Sequence, residues 1–202
     1  FYNPGPVIVG TVRDIIAVLD AANMSFEVIA VSDGSTDGSA QLLDGIDGRV
    51  SVIEQPANMG KGAALHAGFA QARGHHIGMI DADGDIDPSH LLDYTRHAQA
   101  GGHDVVYADK RADASVTHAS GVRKIVSLTF STMVTMMFGL GIRDTQTGCK
   151  VFSRDAMSAV LPVLVEQRFA FDLEFFVAAR DQGIGNMVPA PVTLNPRVEG
   201  SS

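Results

Sequence analysis

The sequence predicts an α/β fold: a mostly parallel central sheet flanked by helices. Short β-rich runs alternate with segments of helical apolar spacing along the first half of the chain, and two of these runs stop abruptly at aspartate–glycine turns. No internal repeat, low-complexity tract or linker divides the 202 residues, so a single domain over 1–202 is expected. Strands separated by helices imply right-handed crossovers and a sheet covered on both faces, with ligands at the carboxyl ends of the strands.

Val7, Val12, Ile15, Ile16 and Leu19 recur at helical spacing, which predicts a helix over Val7 to Ala22. Phe26 to Val31 is a short β-rich run ending at Ser32-Asp33-Gly34 and reads as a buried strand followed by a turn. A short helix over Gly38 to Leu43 and a second strand over Val50 to Glu54 follow. Gly60 to Ala72 is a helix opened by glycines, and His76 to Ile80 a third strand that stops at Asp81-Ala82-Asp83-Gly84-Asp85. Pro88 lies near the start of a helix running to Ala100, and a fourth strand covers Asp104 to Tyr107. The second half is less regular. It holds a polar loop (Lys110 to Ser120), a long apolar helix (Gly121 to Leu140), a polar turn into a strand (Asp144 to Phe152), a helix (Phe171 to Asp181) and a last strand (Val188 to Leu194).

Composition narrows the function. The net charge of −8 excludes a nucleic-acid binder, which needs a basic face to displace counterions. A nucleotide ligand remains open, because a metal ion reconciles an acidic site with an anion. Cys149 is the one cysteine and has no internal partner, which points to a reducing compartment. No signal peptide is visible, and no run reaches the ~18 apolar residues of a spanning helix.

Three segments carry chemistry. In Asp81-Ala82-Asp83-Gly84-Asp85, three carboxylates stand at alternating positions past a hydrophobic strand. Crowded carboxylates repel unless a cation sits among them, and a few carboxylates plus substrate phosphates describe a Mg²⁺ or Mn²⁺ site. A solvated acidic turn, with Asp85 or Asp87 capping the next helix, is the alternative. An EF-hand is rejected, because Gly84 sits too early and no glutamate occupies the twelfth position. The second segment, Val31 to Gly38, places Asp33 at a strand end, where its carboxylate can accept from a nucleobase or ribose; a turn capped by Ser35 or Asp37 is the alternative. The third, Asn58-Met59-Gly60-Lys61-Gly62, opens a helix with glycines that let the backbone approach a ligand, and Lys61 can reach a phosphate or base. It does not match a P-loop, and a solvated lysine on a tight turn is equally open.

In this order, the three segments resemble the inverting glycosyltransferases of GT-A fold. That family's pattern is a Pro-x-Tyr-Asn-Glu strand end, a VDDGSTDGT-like turn, a GKG helix start and a later DxD. The strand ahead of the first motif would precede Phe1. Asp144 to Phe152 resembles the DTQTGFKLF segment of the polyprenol-phosphate sugar transferases, the dolichol-phosphate mannose and glucose synthases. Phe169 to Glu174 resembles their FAFDxE, and Arg197-Val198-Glu199-Gly200-Ser201 their RVYGES.

The resemblance implies a metal-dependent hexosyltransferase using a UDP- or GDP-linked sugar and a lipid-phosphate acceptor. Tyr2 and Asp33 would contact the base and ribose, with Val31 lining the base and Lys61 nearby. Asp81, with Ala82, would meet the nucleoside, and Asp83 and Asp85 would hold the metal. Arg111 (or its neighbour Lys110), Arg123 and Arg197 would gather the acceptor phosphate, and Asp144 joins these catalytic candidates through its motif. The chain departs from the family at Pro4 in place of glutamate, at Ser32 in place of the first aspartate of VDD, and at Asp85 where glutamine or asparagine is common.

With no tryptophan, the chain lacks the QxxRW signature of processive synthases and has few stacking platforms for a long glycan. The apolar helix from Gly121 to Leu140 fits a bilayer interface beside a polyprenyl tail; a core helix or a homodimer interface is the alternative. A peripheral protein at the cytoplasmic, inner face of a membrane is therefore expected. Three rivals stand beside this reading: a same-fold transferase with a soluble phosphorylated acceptor, a non-catalytic nucleotide-sugar sensor, and a phospho-acceptor regulator.

Overall fold

The computed structural model describes residues 1–110, 112, 142 and 144–194. Its elements follow the predicted alternation with one helix, α4, added: α1 (Val7–Ala21), β1 (Val28–Ser32), β2 (Val50–Glu54), α2 (Lys61–Gln71), β3 (His76–Ile80), α3 (Ser89–Gly101), β4 (Val105–Ala108), β5 (Cys149–Ser153), α4 (Arg154–Val160), α5 (Phe171–Asp181) and β6 (Met187–Ala190). The short helix expected at Gly38 to Leu43 is a 3-10 turn, Gln41–Leu43.

β1 and β2 form a parallel pair, Val28 opposite Val50. The run at Phe26 enters the ladder only at Val28; the Phe26 ring instead lies under the Arg49 guanidinium, 4.2 Å away. The larger sheet has the order β3-β5-β4-β6. β3, β4 and β6 run in one direction, and β5 is inserted antiparallel between β3 and β4. Its amino-terminal end therefore lies at the same edge as the carboxyl ends of β3 and β4. β6 leaves the ladder after Ala190, where Pro191 has no N–H to donate, and only an Ile86–Leu194 bridge follows.

Period-two alternation sorts the core. Ile77, Met79, Val105, Tyr107 and Phe152 face Phe69 of α2, Met157 and Val160 of α4, and Phe171, Phe175 and Phe176 of α5. Edge-on aromatic packing, such as Phe69–Phe152 at 5.6 Å and Tyr107–Phe176 at 5.2 Å, fills this side. On the other face Val106, Ala108, Cys149 and Val151 pack against Tyr94 and Ala98 of α3. Burial pushes the Cys149 thiol up to about 12, so it stays neutral. α1 covers the smaller sheet, with Ile8 and Val12 against Ala30 and Leu43. Among the described residues no helix is long and apolar enough to cross a membrane. The helix expected at Gly121 to Leu140 lies outside the described residues.

Candidate active site

The acidic turns gather at one edge of the fold, each fixed by a different device. Phe1 to Gly5 docks on the turn after β1. The Phe1 carbonyl accepts from Asp33 N–H at 2.8 Å, Ser35 Oγ accepts from Asn3 N–H at 3.0 Å, and Asp37 accepts from Gly5 N–H at 2.7 Å. Tyr2 rides on this junction with half its surface exposed. Val31 is half-buried in β1 against α2.

Asp33 is buried, and its carboxylate accepts the backbone N–H groups of Met59 at 2.7 Å and Gly60 at 3.0 Å. It thereby ties the end of β1 to the start of α2. Gly60 and Gly62 serve a close approach, but the partner is protein: any Cβ there would meet the backbone of Glu166 and Gln167. The Gln167 carbonyl accepts from Ala63 N–H at 2.9 Å, and Glu174 holds the same loop by accepting from Val165 and Glu166. The glycine-opened helix start is thus covered by residues 166–168.

Lys61, between these glycines, bridges two carboxylates. Its ammonium lies 3.0 Å from Asp81 Oδ1 and 3.6 Å from Asp172 Oδ2. Burial opposes its charge, but Asp172 and Asp81 together more than offset burial and raise its pKa above the ordinary lysine value. The other Asp172 oxygen is 2.7 Å from the Lys150 ammonium, which also donates to the Thr147 carbonyl at 2.8 Å. Four alternating charges thus run inward from the surface: Asp81, Lys61, Asp172, Lys150.

Asp81 N–H donates to the Gly148 carbonyl at 2.8 Å. Its carboxylate lies directly over the Gly148 Cα, in the space a Cβ at that position would need. The Ala82 carbonyl accepts from Thr11 Oγ1 of α1 at 3.3 Å. Past it, Asp83 is exposed and Asp85 half-buried, and Asp83 Oδ1 accepts from Asp85 N–H at 3.1 Å. Asp87 accepts from Ser89 N–H at 2.8 Å, so it is Asp87 that opens α3. Among the described residues no three His, Cys, Asp or Glu side chains gather to hold a metal ion. Two carboxylates, one exposed and one half-buried, do not make an all-protein cage. They fit a hard divalent ion that keeps waters and shares substrate phosphates.

Asp144 organises its own turn, accepting from the N–H groups of Gln146 and Thr147, from Thr147 Oγ1 and from Lys110 N–H. It thereby fastens the turn before β5 to the end of β4. Arg111, Arg123 and Arg197 lie outside the described residues.

The model of the family described as "Glycosyl transferase family 2" matches residues 1–161. This chain belongs to glycosyl transferase family 2. A dolichyl-phosphate beta-glucosyltransferase (ALG5D) of Trichomonas vaginalis is 35% identical over 167 residues, which is 78% of this chain and 51% of that protein. The chain thus spans about half the length of this curated relative. Among solved structures it resembles mannosyl-3-phosphoglycerate synthase from Rubrobacter xylanophilus, with TM-score 0.72 and 18% identity over 96% of this chain and 63% of that one. It also resembles glucosyl-3-phosphoglycerate synthase from Mycobacterium tuberculosis in complex with Mn²⁺, UDP-glucose and phosphoglyceric acid, with TM-score 0.70 and 17% identity over 99% of this chain and 70% of that one. These likenesses establish the GT-A fold.

Within this family 2 domain, Gly148 and Lys150 fall in the DTQTGFKLF-like segment and Asp172 in the FAFDxE-like one, but sequence reasoning gave none of the three a role in the site. Two signals were available. Lys150 occupies an inward position of an apolar strand, and Asp172 follows Phe171 at the head of an apolar helix. Buried charges at such positions need each other.

Proposed function

We propose that this family 2 chain, taken as one catalytic domain over 1–202, transfers a hexose from a UDP- or GDP-linked donor to a polyprenyl phosphate with Mg²⁺ or Mn²⁺. The observation that carries the proposal is the convergence of Asp33, Lys61, Asp81 and the turn before β5 on one edge, in a chain similar to a dolichyl-phosphate glucosyltransferase. The neighbours that use phosphoglycerate share only the fold.

In this reading Tyr2, Val31 and Asp33 receive the base and ribose. Asp33 keeps acceptor capacity, since a carboxylate offers about four lone-pair sites and the backbone N–H groups use only some of them. Asp81 and Ala82 border the nucleoside, with Lys61 holding Asp81 in place. Asp83 and Asp85 are the residues that would hold the divalent ion, which when bound neutralises charge on the leaving diphosphate. An oxygen of the acceptor phosphate attacks the anomeric carbon, the bond to the donor diphosphate breaks, and the nucleoside diphosphate leaves with that electron pair. A phosphate monoester is already ionised, so no strong general base is required. The work is positioning and charge stabilisation. Arg111, Arg123 and Arg197 gather the acceptor phosphate, because guanidinium matches phosphate oxygens bidentately, and Asp144 holds the turn before β5. The domain works peripherally, at the cytoplasmic face of a membrane.

The arginines supply the test. Arg123→Ala and Arg197→Ala are each expected to lower kcat/KM for polyprenyl phosphate by about tenfold or more, the equivalent of one charge-assisted hydrogen bond, while donor affinity stays unchanged. Steady-state transfer paired with donor titration separates the two. Weakened donor binding with unaltered acceptor kinetics would reverse the assignment.

A further inference from the structure

We propose that Lys150, sealed beneath the donor edge, is a positioning residue that sets Asp81 through Asp172 and Lys61. The inference rests on the nucleotide-sugar reading above, since it needs Asp81 to border the donor. The Lys150 side chain is 1% exposed and cannot touch a substrate. Its ammonium has two partners, Asp172 Oδ1 and the Thr147 carbonyl, and each leads to Asp81 by a different route.

The first route is electrostatic. Asp172 is 4% exposed and has two cations near it, Lys150 at 2.7 Å and Lys61 at 3.6 Å. Lys61 sits closer to Asp81, at 3.0 Å. This asymmetry follows from Lys150: with Oδ1 of Asp172 already paired, Lys61 is left to lean outward toward the more exposed Asp81. Remove the Lys150 charge, and the buried Asp172 carboxylate keeps a single counterion. A buried charge with one available partner draws that partner in, because the interior screens poorly and water does not compete. Lys61 then moves inward, and Asp81 loses the ammonium that pairs with it at 3.0 Å.

The second route is the main chain. Lys150 holds the Thr147 carbonyl, and the next residue, Gly148, supplies both the carbonyl that accepts from Asp81 N–H and the bare Cα on which the Asp81 carboxylate rests. Both routes act on the same aspartate from opposite sides. A purely structural role does not call for a lysine here. The same face of the sheet carries Phe152 packed with Phe171 and Phe175, and an apolar side chain at 150 would extend that packing without the cost of burying two ions.

The test is calorimetric titration of UDP and GDP in the presence of Mn²⁺, with a thermal melt of each variant. Lys150→Met is expected to lose about tenfold in nucleoside diphosphate affinity, the loss of one charge-assisted contact to the donor. The double variant Lys150→Met/Asp172→Asn, which removes the uncompensated carboxylate and returns Lys61 to Asp81, is expected to recover affinity to within about threefold of wild type. Wild-type affinity in Lys150→Met, or a double variant as weak as the single, would overturn the proposal. Should Lys150→Met fail to fold, the charge-neutral double variant carries the test: affinity near wild type supports it, and a tenfold loss overturns it. If the wild-type chain binds neither nucleotide, the transferase reading falls and this inference with it.

Discussion

Asp83→Ala is expected to abolish metal-stimulated binding of nucleoside diphosphate and to leave the fold intact. Asp83 is exposed on the turn after β3, and its carboxylate accepts from Asp85 N–H within that turn. Losing such a bond costs about 1 kcal/mol, a shift of a few degrees in Tm for a domain of this size. Losing the ion that neutralises the leaving diphosphate costs several kcal/mol, so transfer should fall by about a thousandfold. Titration of nucleotide with and without chelator reads the effect. Equal affinity under both conditions in the wild-type protein would remove the metal from the account.

The second large effect is expected from a single methyl group. In Gly148→Ala the new Cβ takes the space of the Asp81 carboxylate, which must swing away. The displaced atoms are the far end of a flexible side chain, so the melting temperature should change little. The donor edge is a different matter, because displacement of a positioning group by about 1 Å costs about a hundredfold in kcat/KM. If Asp81 carries the effect, Gly148→Ala combined with Asp81→Ala should be no worse than Asp81→Ala alone. Additive losses would show that the glycine acts elsewhere.

Much of this fold is legible in the sequence, and the failures have identifiable causes. The bounds of β2 and β3 follow directly from the apolar runs, because each is punctuated by turn residues at both ends, and α5 is punctuated by Gly183 just past its end. α4 was not anticipated. It is seven residues long, too short for periodicity to register, although Ser153 caps it by accepting from Ala156 N–H at 3.1 Å. The reversal of β5 was not legible either: strand direction depends on where the chain re-enters the sheet after a long excursion, and periodicity carries no such information. At the site, the acidic turns announced themselves as carboxylates just past apolar strands. The glycines of the Gly60-Lys61-Gly62 segment signalled a close approach without naming the partner, which is the loop 166–168. The Lys150–Asp172 pair spans 22 positions on two elements, so only the three-dimensional fold joins it.

The central claim, transfer to a lipid phosphate, is tested most directly by choice of acceptor. The chain is incubated with Mn²⁺ and labelled UDP-glucose or GDP-mannose, together with either a polyprenyl phosphate in detergent or 3-phosphoglycerate in buffer, and the products are partitioned between organic and aqueous phases. The account predicts label in the organic phase, only with the polyprenyl phosphate and only while the divalent ion is present. Label passing to phosphoglycerate, with none in the lipid fraction, would contradict it.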